Sequence, residues 1–132
     1  MTVDAIVHVR YAETDQMGVA YYGNYFTWFE VGRVAWCKAA GFDYRDMERE
    51  EGALMVVAEA TCRYKSPARF DDELVIRTFL RKARSKLIVF GYEVRRAAEL
   101  LATGETTHLV TGPDLAPRTL PEKYRALISA AV

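Results

Sequence analysis

Apolar and polar residues alternate through most of the second half of this chain. In the first half, one long stretch is apolar without alternating. Ala58 to Lys65 alternates cleanly, with Ala58, Ala60, Cys62 and Tyr64 on one face and Glu59, Thr61, Arg63 and Lys65 on the other. Ser66-Pro67-Ala68 breaks that run. Asp72 to Lys82 alternates more weakly. Lys86 to Arg96 places Ile88, Phe90, Tyr92 and Val94 on one face, and Leu100 to Thr111 is threonine-rich and strand-like. The links Ala83-Arg84-Ser85 and Ala97-Ala98-Glu99 are short, so neighbouring strands should pair antiparallel.

The non-alternating stretch runs from Asn24 to Ala40 and predicts a helix that Asn24 caps and Gly41 ends. Its apolar residues, among them Tyr25, Trp28, Phe29, Val31, Val34 and Trp36, go most of the way round. A helix of that kind is usually wrapped by other elements. Glu30, Arg33 and Lys38 mark its polar side, and Glu30 and Arg33 are spaced to pair. A short strand, Ala5 to Val9, and a loop, Ala12 to Gly23, precede it. Asp43 to Glu51 predicts a short helix or turn, Pro113 to Pro117 a loop, and Pro121 to about Ala130 a last helix. Strands of about ten residues would span roughly 33 Å, against about 25 Å for the long helix. The order is therefore α+β, an antiparallel sheet wrapped around a long central helix, in one domain over residues 1–132. One sheet cannot cover every side of such a helix, so the uncovered surface and the sheet edges predict a homo-oligomer.

Composition adds mainly exclusions. Lys plus Arg and Asp plus Glu balance at 18 each, so no global charge steers the chain to nucleic acid or an anionic membrane. No apolar run approaches the ~18 residues of a membrane span, and the first residues lack signal-peptide features. Cytoplasmic residence is the expectation. Cys37 and Cys62 have no CxxC spacing and read as buried thiols rather than a disulfide or zinc site. His8 and His108 form no metal-ligand cluster and read as structural. Neither a Gly-x-Ser-x-Gly elbow nor a phosphate-binding glycine motif occurs. Neither a metal nor another cofactor is expected.

The candidate chemistry lies just ahead of the long helix. Asp15 sits in a glycine-containing loop that feeds the helix N-terminus, where unpaired N–H groups and the helix dipole could polarise a carbonyl. Without further information Asp15 could equally be a turn or capping acid. Arg81, Lys82, Arg84 and Lys86 flank a tight connection. They could hold phosphates, or simply protect a solvated hairpin tip.

Arg10-Tyr11-Ala12-Glu13-Thr14-Asp15-Gln16-Met17-Gly18, leading into Gly23-Asn24-Tyr25, resembles the loop of the 4-hydroxybenzoyl-CoA thioesterase family of the hotdog fold. Tyr64-Lys65-Ser66-Pro67-Ala68-Arg69-Phe70-Asp71-Asp72 resembles that family's second landmark, and the likeness covers about residues 5 to 130. The resemblance implies hydrolysis of acyl-CoA in sites at a subunit interface. It also implies a dimer with a continuous sheet, often paired again into a tetramer. Asp15 takes the place of the catalytic aspartate, as nucleophile or as general base on water. The backbone N–H of Tyr22 takes the place of the donor to the thioester carbonyl. Related Tol–Pal-associated thioesterases often carry histidine at that position, a change to which a backbone donor is indifferent. Gly23 and Asn24 adjoin that donor. Glu30 falls where the hydroxybenzoyl enzyme has an acid that meets the substrate's phenol, although glutamate is longer than aspartate. Arg81, Arg84 and Lys86 become candidates for coenzyme A. Two rival readings are a hotdog dehydratase on acyl carrier protein, which needs a histidine–acid pair, and a non-catalytic acyl-CoA-binding protein.

Overall fold

The computed structural model describes residues 1–132. In chain order it contains β1 (Thr2–His8), a 3-10 turn (Tyr11–Glu13), α1 (Asn24–Ala40), α2 (Tyr44–Glu51), β2 (Leu54–Tyr64), β3 (Glu73–Ala83), β4 (Leu87–Arg96), β5 (Glu99–Thr111) and α3 (Glu122–Ala131). The strands form one antiparallel sheet in the order β1-β3-β4-β5-β2. The sheet curls around α1, which packs chiefly on β1 and β3. This is the α+β arrangement that the alternation and the hotdog resemblance predict.

Local chemistry explains most of the boundaries. Gly41 ends α1 in the left-handed region at φ 105°, with its N–H bonded back to the Cys37 and Lys38 carbonyls. The start of α1 differs from expectation. Asn24 is the first helical residue, and its side chain does not cap the helix. Its Nδ2 donates instead to the Glu13 carbonyl at 2.8 Å, tying the helix to the preceding loop. β2 begins at Leu54, earlier than the alternation indicates. Leu54-Met55-Val56-Val57 is uniformly apolar, and a bulge between Val57 and Glu59 resets the period.

The helix is not apolar all round in effect. Its buried residues are Tyr25, Trp28, Phe29, Gly32, Arg33, Trp36 and Cys37, a single stripe at helical spacing. Val31, off the stripe, is exposed. The stripe meets Ile88, Phe90, Tyr92 and Val94, which share one face of β4 as predicted and are all buried. Gly32 sets the approach of helix to sheet. A Cβ there would lie 2.3 Å from Thr78 Oγ1 and 2.9 Å from Ile76 Cγ2. Arg33, expected on the polar side and paired with Glu30, is buried and makes no ion pair with it. Its place in the stripe carries it into the core, where Nη1 donates to Tyr92 Oη at 3.2 Å. Tyr92 Oη also bonds Thr106 Oγ1 at 2.6 Å, and Thr106 Oγ1 bonds His108 Nε2 at 2.8 Å. Both cysteines are free thiols, and burial pushes Cys37 up to about 12. No helix is long and apolar enough to cross a membrane.

Candidate active site

The loop ahead of α1 is a tight turn built on Asp15. Its N–H donates to the Val19 carbonyl at 2.9 Å, and its own carbonyl accepts from Gly18 N–H at 3.0 Å. Gly18 holds φ 79°, a left-handed conformation that a side chain would strain. Asp15 Oδ1 accepts from Met17 N–H at 2.9 Å. The Asx-turn reading of Asp15 is thus correct for one oxygen. The other oxygen has no partner within the chain, and the half-buried residue lines a cleft of about 280 Å³. Turn and cleft therefore divide the carboxylate: one oxygen fixes its orientation and the second stays free.

The opposite wall of the cleft is the start of α1. Tyr21 N–H donates to the Glu13 carbonyl at 2.8 Å, and Asn24 N–H to the Tyr21 carbonyl at 3.0 Å. The N–H groups of Tyr22 and Gly23 bond to nothing in the chain. They are the unfilled donors of a helix N-terminus, carrying its partial positive charge. Tyr22, Tyr25, Tyr64 and Lys65 line the cleft beside Asp15. Tyr64 reaches across from the end of β2 and donates its hydroxyl to the Tyr22 carbonyl at 2.9 Å. Its ring stands edge-on to Tyr25 at 4.9 Å between centroids.

The two sequence landmarks meet here. Ala20 N–H donates to the Ala68 carbonyl at 2.8 Å, and Asp71 N–H to the Val9 carbonyl at 2.8 Å. Arg96 clamps the second landmark by donating to Asp72 Oδ2 at 2.7 Å.

Glu13 was not among the expected site residues, yet the loop hangs on it. It is only 7% exposed. Oε1 accepts from Arg10 N–H at 2.8 Å, Oε2 from Trp28 Nε1–H at 3.3 Å, and Arg10 Nε lies 3.5 Å from Oε1. Its carbonyl takes the two further bonds from Tyr21 and Asn24. One residue thus joins the Asp15 loop to the first turns of α1. A clue exists in the sequence: a buried tryptophan such as Trp28 needs an acceptor for its N–H. Tyr64 was read as part of an alternating strand and as the start of the second landmark, with no site role of its own.

The remaining candidates are dispersed. Glu30 is exposed and lines a separate cavity with Phe26, Thr27, Arg33, Val57 and Thr106. Arg81 pairs with Glu105 at 3.0 Å and lies over the Phe79 ring. Arg84 and Lys86 sit at the β3–β4 hairpin, level with Val57 in the row Val57–His108–Ile88–Ala83. Tyr64 lies in the row Tyr64–Ala102–Val94–Ile76, roughly 23 Å along the strands. Within one chain, these basic residues do not converge on the Asp15 cleft. The histidines do not enter it either. His8 is exposed beside Glu73 at 3.4 Å. His108 is in the core, where burial first and Arg33 second push it down to about 4. Nowhere do three or more His, Cys, Asp or Glu side chains gather as metal ligands.

A family model described as "Thioesterase superfamily" matches residues 17–103, most of the elements that form this cleft. The chain belongs to that superfamily. YneP of Bacillus subtilis (strain 168), provisionally named an acyl-CoA thioesterase, is 39% identical over 104 residues, covering 78% of this chain and 75% of YneP. A DHNA-CoA thioesterase from Staphylococcus aureus has a similar structure, with TM-score 0.93, 32% identity and coverage of 98% of this chain and 89% of that one. A 4-hydroxybenzoyl-CoA thioesterase shares the fold at TM-score 0.86 and 19% identity, over 96% of this chain and 97% of its own. In this thioesterase, then, the helix-end cleft is lined both by Asp15 and by Tyr22, whose N–H has no acceptor in the chain.

Proposed function

We propose that the chain hydrolyses acyl-CoA thioesters to a free acid and coenzyme A, with Asp15 and the N–H of Tyr22 as its working groups. The observation that carries the reading is the pairing of a free carboxylate oxygen on Asp15 with an unfilled Tyr22 N–H on the walls of one cleft. The relatives' names support the substrate class.

The thioester carbonyl accepts from Tyr22 N–H, and the donor strengthens its hold as negative charge develops on oxygen. Asp15 then acts by one of two routes. As nucleophile, its free oxygen bonds to the carbonyl carbon and the C–S bond breaks, with coenzyme A leaving as thiolate. Water opens the resulting anhydride and restores the carboxylate. As general base, Asp15 takes a proton from water as the water adds, and that proton passes to the departing sulfur. A single turnover in heavy-oxygen water separates the routes, since label enters Asp15 only in the first.

A second copy of the chain completes the assembly in this reading. β2 is an edge strand, and Val56 and Val57 are exposed on it. Pairing through that edge would extend the sheet, cover the open side of α1, and offer the partner's basic hairpin to the coenzyme's phosphates. That accounts for Arg84 and Lys86 lying far from Asp15 in their own chain. The dehydratase alternative loses support because neither histidine lines the cleft.

The test is thiol release by the purified chain over short, long and aromatic acyl-CoAs, with Asp15→Asn alongside. Release by the wild type and a loss of at least about 100-fold in the variant are expected. Stabilisation by acyl-CoA with no thiol released would identify a binding protein instead.

A further inference from the structure

The phenol of Tyr64 does not point at the free oxygen of Asp15; it is spent on a backbone carbonyl at the start of α1. That carbonyl, of Tyr22, also accepts Tyr25 N–H at 3.3 Å as the first turn of the helix closes. In a trans peptide the N–H lies opposite the C=O. The peptide joining Tyr22 to Gly23 is therefore held by its oxygen from two sides, while its Gly23 N–H faces away with no acceptor in the chain. The preceding peptide is held the same way: the Tyr21 carbonyl accepts Asn24 N–H, and the N–H of Tyr22 is free. Two successive peptide planes are thus clamped at their oxygens and open at their nitrogens. A hydrogen bond to a peptide oxygen also polarises that peptide and makes its N–H a stronger donor. The Tyr21 ring packs so closely that a Cβ at Gly23 would lie 2.8 Å from it.

We propose that Tyr64 is a positioning residue for the oxyanion site: by holding Tyr22's own carbonyl from a different element of the fold, it fixes the first turn of α1 and with it the unfilled N–H of Tyr22 at the wall of the cleft. The inference rests on the thioesterase reading of the same cleft and gives a role to Tyr64, which opens the second landmark but was assigned none there. Tyr64 reaches the helix because β2 runs to the end of the sheet, beside Ala102 of β5. Its ring is held edge-on by Tyr25 and by Tyr22, with Tyr22 at 6.3 Å between centroids. Removing the hydroxyl alone leaves those contacts in place.

The test is Tyr64→Phe, assayed with an acyl-CoA and with the matching CoA dithioester, in which sulfur replaces the carbonyl oxygen. With the thioester, kcat should fall roughly five- to tenfold, the worth of one ordinary hydrogen bond, with KM unchanged within about twofold. Sulfur is a weak acceptor, so with the dithioester the fall should be under about twofold. In an amide-resolved NMR spectrum the Gly23 proton should shift upfield in Tyr64→Phe. An equal fall with both substrates would overturn the proposal, because the loss would then not pass through the carbonyl acceptor. So would a rise in KM at constant kcat, or unchanged kinetics with an unmoved Gly23 amide. Asp15→Asn distinguishes the two levels. Activity lost there but retained in Tyr64→Phe overturns this proposal alone, whereas a wild type that releases no thiol overturns both.

Discussion

At the N-terminal end of α1 a buried carboxylate gathers donors; farther along the same helix a buried guanidinium gathers hydroxyls. Glu13 takes N–H groups from Arg10 and Trp28 on its side chain and from Tyr21 and Asn24 on its carbonyl. Arg33 passes through Tyr92 and Thr106 to His108. Both clusters bury polar atoms beside the same core, but they end differently. The Arg33 chain runs from one core residue to another and leaves His108 Nδ1, inside the core, without a partner. The Glu13 knot stops short, because it satisfies Tyr21 and Asn24 and leaves the N–H groups of Tyr22 and Gly23 between them unfilled. An unmet donor inside a core is a defect, whereas at the wall of a cleft, where Tyr22 stands, it is open to a ligand. The difference is one of placement, not of bonding chemistry.

If that division is right, variants should separate activity from stability. The largest effect belongs to Asp15→Asn. Turnover should drop roughly a thousandfold, about 4 kcal/mol of transition-state stabilisation, while the thermal midpoint stays within a few degrees of the wild type. A large fall in melting temperature would place Asp15 on the structural side instead. Glu13→Gln should injure both properties. The amide must set its NH₂ against either Arg10 N–H or Trp28 Nε1–H, costing about 3 kcal/mol in denaturant unfolding, with a loss of kcat as loop and helix slip. Tyr92→Phe should affect stability alone. It strips one acceptor from Arg33 and a partner from Thr106, for about 2 kcal/mol, and turnover well below the melting point should be unchanged.

The smallest effect is a pH dependence. The folded state holds His108 down to about 4 from its ordinary value of 6.5. Between those values the unfolded chain binds the extra proton, so stability is present above the unfolded value and falls as the solution is acidified through that window. Going from about pH 7.5 to about pH 5.5 should remove about 1 kcal/mol through this group. His108→Gln should flatten that part of the melting-temperature profile, and an unchanged slope would assign the loss to other groups.

The sheet was legible because alternation is a local property. β4 placed Ile88, Phe90, Tyr92 and Val94 in the core as read, and the turn around Asp15 and Gly18 announced itself by composition. What escaped depended on tertiary partners. Arg33 looked like surface because it is charged, yet its spacing from Phe29 and Trp36 already placed it on the buried stripe. In its case periodicity was the better guide than polarity. Tyr64 looked like one more residue on the apolar face of a strand, and its bond to Tyr22 spans 42 residues of sequence. Nothing local could reveal that contact. The basic hairpin was read as part of the site, but the register of β2 to β5 sets it at the far end of its own chain.

In the proposed reaction the donor at Tyr22 belongs to the main chain, and this bears on how such a site can change over generations. Every amino acid but proline carries the N–H that position 22 supplies. The side chain there, 61% exposed on Tyr22, is free to be exchanged for whatever a new acyl group favours. Asp15 has no such latitude in that reaction, since its contribution there is a carboxylate. One half of the site can drift while the other is frozen, so a site of this kind can acquire new substrates without first giving up its chemistry.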